Sequence, residues 1–242
     1  MTDLTQLRAT LDEVDTGIHD LLLRRAETVA AIGAQKKGAN APRLRPGREA
    51  AILRRLLARH HGPLAPAAIV RIWRDIFAAS LALQAPLRIT LAAPTLAPLA
   101  REHFGALVPL TTAPSPQAAL AALAANQADA ALIDANSDAW SLLPAHPTLA
   151  IAALLPFWSP RPPGAPTGQA FLVTPHFPDP SGNDHSLIAI PPNHPAPPGL
   201  AQPMRTAANG WSLADLPSYL PSLPPDLPCP ARLIGAYALP IA

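Results

Sequence analysis

Residues 3–37, DLTQLRATLDEVDTGIHDLLLRRAETVAAIGAQKK, decide the fold of the first part of the chain. Apolar side chains recur here at heptad spacing, a pattern that predicts one long amphipathic helix. The apolar stripe consists of Leu4, Leu7, Leu11, Val14, Ile18, Leu21, Val29 and Ile32. Arg25 stands where the stripe requires an apolar residue. Because a guanidinium on a buried face is costly unless an anion meets it, Arg25 is a candidate anion ligand.

Two further cations, Arg8 and Lys36, lie beside the same stripe. From Arg8 to Lys36 the helix spans about 40 Å at 1.5 Å per residue. One small ligand therefore cannot contact Arg8, Arg25 and Lys36 of a single chain. Either these cations serve different sites, or a second copy of the helix brings its own Arg8 to the Arg25 end.

The charge and the proline content both change near residue 86. Residues 1–84 carry a net charge of +5 and the remainder −3, although the whole chain carries only +2. Residues 1–86 contain five of the 33 prolines. Such a shift favours two units, which we predict at residues 1–86 and 87–242.

The composition also excludes several classes of protein. Cys229 is the one cysteine, so an intramolecular disulfide and a cysteine metal cluster are both excluded. The polar N-terminus is unlike a secretory signal, and no apolar run is long enough to predict a membrane span. His176, His185 and His194 are interpreted as scattered loop residues, not as metal ligands. We therefore expect a soluble, cytoplasmic protein without a metal site.

The predicted fold is a unit of three helices followed by a small α/β domain. The helices are predicted at residues 3–37, 46–60 and 66–84. Because the first is too long to bury its stripe against the other two, a dimeric helical bundle is expected. After residue 86, β and α alternate, and later apolar runs predict strands of a small sheet joined by proline-rich loops. These elements are strands at 87–92, 106–110, 128–133, 149–155, 170–173, 186–190 and 233–239, and helices at 96–104 and 117–125.

Seven polar residues lie on buried or convergent faces of the three helices. They are Arg8, Arg25, Lys36, Arg48, Glu49, Ser80 and Gln84. A pocket rich in arginine, with one carboxylate, one hydroxyl and one amide, suits a small dianion because guanidinium groups fork onto carboxylates. The set contains neither a nucleophile–base pair nor a set of metal ligands.

The order and spacing of these residues resemble the all-helical (AroQ-type, type II) chorismate mutases over about residues 4–84. The motifs that carry the resemblance are Leu7-Arg8, Leu22-Leu23-Arg24-Arg25, Ile32-Gly33 followed by Gln35-Lys36, Arg48-Glu49, and Ser80 with Gln84 four residues on. The resemblance implies the rearrangement of chorismate to prephenate, which feeds phenylalanine or tyrosine synthesis. This reaction is pericyclic and requires no cofactor.

The resemblance implies a substrate-binding role for four of the residues. Arg25 and the partner's Arg8 would bind the carboxylates of chorismate in a homodimer, and Arg48 and Ser80 would complete that side. Arg45 is a departure, because members of the family often carry an acidic residue three positions before the Arg-Glu pair.

The resemblance implies a catalytic role for the other three. Lys36 and Gln84 would donate hydrogen bonds to the ether oxygen, where negative charge grows as the bond breaks. Glu49 would accept a hydrogen bond from the ring hydroxyl.

Residues 87–242 resemble, more faintly, the dehydratase part of bifunctional chorismate mutase–prephenate dehydratases. Residues 232–237, RLIGAY, are similar to the last strand of the regulatory ACT domain of those enzymes. The Thr-Arg-Phe catalytic motif and the Glu-Ser-Arg-Pro effector motif are absent, and the segment is too short for both domains. We therefore expect no dehydratase activity. The segment is interpreted as a degenerate remnant with a structural, regulatory or partner-binding use, such as contact with another shikimate-pathway enzyme.

Three alternatives remain open from the residues themselves. An isochorismate-pyruvate lyase shares the helical fold and would bind a similar dianion. A non-catalytic dimeric regulatory module is a second alternative, although a decayed site should have lost some of its seven polar residues. A nucleic-acid binder ranks last, because aromatic residues are few and the net charge is small. It is suggested by Arg43, Arg45, Arg48, Arg54, Arg55 and Arg59.

Overall fold

The computed structural model describes residues 3–35, 42–194, 205–223 and 230–241. Contacts between residues divide the chain into two compact units, residues 1–41 with 79–86, and residues 42–78 with 87–242. These units differ from the domain boundary at residue 86, which stays a prediction about the sequence. Within the described ranges, every helix is too short or too polar to cross a bilayer.

Helix α1, Leu4–Gln35, is the main element of the first unit. The Asp3 carboxylate accepts a hydrogen bond from the Thr5 amide at its start, which satisfies one of the unpaired N–H groups of a first helical turn. No residue of α1 is buried. Its exposed large apolar residues are Leu4, Leu7, Leu11, Val14, Ile18, Leu21, Leu22, Leu23 and Ile32. The predicted stripe is therefore exposed in a single copy of the chain.

Helices α2, Pro46–Ala58, and α3, Pro66–Ala82, both begin with a proline, which suits the first helical position because its missing N–H has no helical partner there. Both end two residues before their predicted limits. Helix α2 buries Ala50 and Leu53 and packs on the sheet described next. The predicted order of three helices followed by an α/β region is confirmed.

The α/β region forms one sheet of nine strands, in the order β2-β1-β3-β5-β4-β9-β6-β8-β7. The strands are β1 (Ile89–Leu91), β2 (Leu110–Thr112), β3 (Ala130–Asp134), β4 (Ala150–Leu155), β5 (Ala170–Thr174), β6 (Asp184–Ile190), β7 (Arg205–Thr206), β8 (Ser212–Leu216) and β9 (Arg232–Ala238). Helices α4 (Ala97–Phe104) and α5 (Pro116–Ala124) follow β1 and β2, and 3₁₀ segments cover Pro94–Leu96 and Asp138–Ala145. The later strands, which were predicted to form a small sheet, therefore belong to the same sheet as the first three strands.

The sheet is parallel at one edge and mixed elsewhere. Strand β1 pairs in parallel with β2 and β3, whereas β5 is antiparallel to both β3 and β4. Strands β4 and β9 pair in parallel at Ile151 and Gly235. A Cβ at Gly235 would lie 2.2 Å from the Ile151 carbonyl oxygen, and its φ is +152°. Only glycine therefore allows β9 to approach β4 at this point.

The structure differs from the strand predictions at three points. Strand β2 begins at Leu110 and not at residue 106, because Leu107 is 97% exposed and Pro109 has no N–H to donate to a ladder. Strands β7 and β8 were missed, because β7 has only two residues and Ser212 and Asp215 interrupt the apolar pattern of β8. His185, interpreted as a loop histidine, lies in β6.

Candidate active site

Arg25 and Ser80 form a polar pair within the first unit. Arg25 on α1 is partly buried, and its Nη1 donates a hydrogen bond to the Oγ of Ser80 on α3. Burial lowers the pKa of Arg25 from its ordinary value, but a guanidinium stays charged at neutral pH. The structure therefore brings together a half-buried cation and a hydroxyl that were both predicted to bind a carboxylate.

Gln84 lies beside this pair. Its Nε2 is 3.4 Å from the Ser80 carbonyl oxygen, to which it donates. A Cβ at Gly33 would lie 3.3 Å from the Gln84 Cγ, so the absence of a side chain at residue 33 allows the glutamine to lie against α1. Three of the seven predicted site residues, Arg25, Ser80 and Gln84, are thus neighbours.

Arg8 is exposed on the same helix, seventeen residues before Arg25 and hence about 25 Å away along α1. The structure does not bring these two arginines of one chain together. Lys36 lies outside the described residues, and its role stays a prediction.

Arg48 and Glu49 belong to the first turn of α2, in the second unit. Arg48 is exposed. The Glu49 carboxylate is engaged within the protein, because its Oε2 lies 2.6 Å from the Nη2 of Arg74. Arg74 was not among the predicted site residues.

Arg74 lies on the buried face of α3, between Val70 and Phe77. Its Nη1 is 3.0 Å from the Nδ1 of His103 on α4. The Cζ atom lies over the Phe77 and Phe157 rings, at 5.0 and 4.8 Å from their centroids, distances typical of cation–π contacts. The sequence signal was present, since an arginine spaced four and three residues from apolar neighbours interrupts a helical stripe as Arg25 does.

His103 is buried, and burial together with the charge of Arg74 lowers its pKa well below the ordinary value. A neutral imidazole has one unprotonated nitrogen that can accept a hydrogen bond. The neutral form therefore suits the contact with Arg74, because a second buried cation would repel the guanidinium.

Further contacts fix α2 on the sheet side of the second unit. The Nε of Arg45 lies 2.6 Å from the Asp179 carboxylate, and this hydrogen bond raises the pKa of Arg45. Arg54 donates to the carbonyl oxygens of Ser181, Asn183 and Leu239. Arg45, the departure from the family pattern, thus has an internal acidic partner.

His185 and Tyr237 both contact the carboxylate of Asp215. His185 Nδ1 lies 2.8 Å from Asp215 Oδ1, and Tyr237 donates to the other oxygen of that carboxylate at 2.6 Å. In the part of the chain that the structure describes, no three metal-ligating side chains form a cluster. Arg43 also pairs with Asp129, at 3.7 Å, which reduces the number of cations available to a phosphate backbone.

Residues 7–85 match the family model described as chorismate mutase type II. The match covers about a third of the chain and includes all seven predicted site residues. The resemblance inferred from the motifs is therefore confirmed over this range.

Curated bifunctional chorismate mutase/prephenate dehydratases are similar to the chain. The protein of Neisseria gonorrhoeae is 37% identical over 101 residues, which cover 40% of this chain and 27% of that protein. The proteins of Stutzerimonas stutzeri and Pseudomonas aeruginosa are 34% and 33% identical over 110 residues, covering 42% of this chain and 30% of each relative. The chain thus spans about three tenths of the length of these relatives.

Two solved structures are similar to a larger share of the chain. One is prephenate dehydratase from Arthrobacter aurescens in complex with L-Phe. The aligned region covers 64% of this chain and 92% of that chain, with a TM-score of 0.44 and 14% identity. The other is GqqA, described as a novel type of quorum-quenching acylase. The aligned region covers 64% of this chain and 95% of that chain, with a TM-score of 0.42 and 14% identity. At these TM-scores neither likeness establishes a shared fold or function.

Proposed function

We propose that this chain, whose residues 7–85 match the type II chorismate mutases, rearranges chorismate to prephenate. The observation that carries the proposal is the group formed by Arg25, Ser80 and Gln84 inside the matched range. A half-buried guanidinium beside a hydroxyl suits a carboxylate, and a neighbouring amide can donate to an ether oxygen.

The proposed chemistry requires orientation and electrostatics but no covalent step. Arg25, with Ser80 and Arg48, would clamp a carboxylate and select the compact conformer of chorismate in which the reacting atoms meet. Gln84 and Lys36 would stabilise the negative charge that develops on the ether oxygen. Glu49 would accept a hydrogen bond from the ring hydroxyl.

The second carboxylate would be bound by the partner's Arg8 in a homodimer. This part of the proposal is supported by the exposed apolar stripe of α1, since monomeric proteins rarely expose large contiguous apolar patches. It is also supported by the distance of about 25 Å along α1 between Arg8 and Arg25 of one chain.

An isochorismate-pyruvate lyase is the second candidate, because the same cations would bind isochorismate. For residues 87–242 we propose a role other than dehydration, on the ground that no Thr-Arg pair occurs anywhere in the sequence. Contact of this region with another shikimate-pathway enzyme stays a prediction.

The test supplies chorismate, isochorismate and prephenate separately to the full chain and identifies each product by NMR. We expect prephenate from chorismate, with isochorismate and prephenate unchanged. Release of pyruvate from isochorismate would favour the lyase, and conversion of prephenate to phenylpyruvate would overturn the proposal of no dehydratase activity.

A further inference from the structure

We propose that Arg74 is a positioning residue, which holds Glu49 for the ring hydroxyl of the substrate and thereby makes the α/β region part of the mutase machinery. The inference rests on the proposed mutase function and adds to it a residue outside the seven predicted site positions. It also assigns a use to residues 87–242.

The first step is the ion pair of Arg74 and Glu49. The two side chains are 5% and 15% exposed, and their N–O distance is 2.6 Å. Charge-assisted hydrogen bonds of this length are strong, and burial makes them stronger. Only Oε2 of Glu49 is used by Arg74, and among the described residues no donor reaches Oε1. The carboxylate is therefore held by one oxygen and retains the other as an acceptor.

The second step is the support behind Arg74. His103 of α4 accepts from Nη1, while Nη2 is directed to Glu49. Phe157 follows β4, and its ring centroid lies 4.8 Å from the Arg74 Cζ. His103 and Phe157 also contact each other, with ring centroids 5.3 Å apart. Residues of the α/β region thus fix the guanidinium that fixes Glu49.

The third step is the anchoring of α2, which carries Glu49. Its N-terminal side is held by Arg45 on Asp179 and its middle by Arg54 on the Ser181 and Asn183 carbonyls. With the helix backbone fixed, the remaining freedom of Glu49 is in its side chain, and Arg74 restricts that freedom. A side chain that is held in place before the substrate binds helps to orient the substrate during the reaction.

A purely structural ion pair is the competing explanation. Removal of one partner of a buried pair destabilises a protein whether or not the pair serves catalysis. The two explanations differ in one respect. A positioning residue acts through Glu49, so its removal should have no further effect on catalysis once Glu49 has lost its carboxylate.

The experiment is a double-mutant cycle in the full chain, with chorismate loss as the readout. The variants are Arg74→Met, Glu49→Gln and both together. Arg71→Met is the matched control, because Arg71 also lies on α3 and, among the described residues, its ion pair is with the exposed Asp75 at 3.7 Å. We expect Arg74→Met to lower kcat/KM about 10- to 100-fold with Glu49 present, and less than about twofold in the Glu49→Gln background. Arg71→Met should match the wild type.

A second readout uses a chorismate analogue in which hydrogen replaces the ring hydroxyl. The wild type and Arg74→Met should then react within about twofold of each other, because the hydroxyl on which Glu49 acts is missing. Circular dichroism and thermal unfolding check that each variant is folded. If Arg74→Met does not fold, Arg74→Lys takes its place in the cycle, since lysine keeps the charge and loses the planar fork.

The outcomes separate the inference from the function on which it rests. Equal losses from Arg74→Met in both backgrounds, or no loss in either, would overturn the positioning role while leaving the mutase intact. A wild-type chain that does not convert chorismate would overturn the proposed function and the inference together.

Discussion

Arg25 and Arg74 both interrupt apolar helical stripes, but their side chains contact different kinds of group. Arg25 donates to the neutral hydroxyl of Ser80, whereas Arg74 is paired with the Glu49 carboxylate. The sequence allowed Arg25 to be identified because the heptad stripe around it is long and regular. Arg74 interrupts the shorter stripe of α3 in the same way but was overlooked. No local pattern predicts its partners, Glu49 and His103, which are 25 and 29 residues away in sequence.

Gln84 tests the catalytic assignments at the residue scale. We expect Gln84→Ala to lower kcat by at least about 10²-fold, as loss of one oxyanion donor does, and Lys36→Ala to do the same. Gln127→Ala, at an exposed glutamine outside the site, is the control for steady-state assays of chorismate loss. Near-normal turnover in Gln84→Ala would remove that residue from the mechanism.

His103 predicts a loss of stability in acid. Its pKa is lowered by burial and by Arg74, so below about pH 6.5 the unfolded chain binds a proton that the folded chain does not. The free energy of unfolding should therefore fall as the pH drops through this window, with a slope approaching about 1.4 kcal/mol per pH unit. Denaturant titrations at several pH values measure that slope.

In the same titrations His103→Gln should give a flatter pH dependence, because an amide oxygen still accepts from Arg74 but does not titrate. His19→Gln, at an exposed side chain, is the control and should keep the wild-type slope. An unchanged slope in His103→Gln would assign the acid sensitivity to other groups.

At the scale of elements, the exposed stripe of α1 predicts a dimer. Leu11 is 59% exposed and central in the stripe, so Leu11→Glu should place a charge in the proposed interface and reduce the mass measured by light scattering from dimer to monomer. Thr10→Glu adds the same charge beside the stripe and should leave the mass unchanged. A wild-type chain that is monomeric at assay concentrations would contradict this interface.

Glycine-to-alanine substitution should have opposite effects on stability at Gly47 in α2 and at Gly17 in α1. A Cβ at Gly47 would lie 2.0 Å from the Asp179 carbonyl oxygen, so Gly47→Ala should destabilise the chain by about 1–3 kcal/mol. At Gly17, within α1, a Cβ would meet nothing within 4 Å. Gly17→Ala should therefore stabilise α1 by about 0.5–1 kcal/mol. Urea unfolding monitored by circular dichroism compares the two, and equal effects would be inconsistent with the close contact of α2.

At the scale of the whole molecule, periodicity predicted the existence and order of most elements, because helical and strand patterns are local properties of the sequence. It did not predict that the strands form a single sheet. The order places β5 between β3 and β4, and β9 between β4 and β6, and such crossovers depend on contacts between distant segments. The contact that admits β9, at Gly235 and Ile151, has no local signature.

The same limit applies to the candidate site. The family motifs identified Arg25, Ser80 and Gln84 from spacing alone, and the structure brings them together. The attachment of α2 could not be predicted, because Arg45 meets Asp179 across 134 residues and Arg54 meets Leu239 across 185. The sequence indicated Arg45 as a departure from the family pattern and both arginines as members of a basic cluster, and neither indication points to these partners.

The most direct test of the account is the rate of chorismate loss with the purified full chain, with the product identified by proton NMR. The account predicts a rate proportional to protein concentration and prephenate as the single product. Chorismate loss no faster than in buffer alone would contradict it.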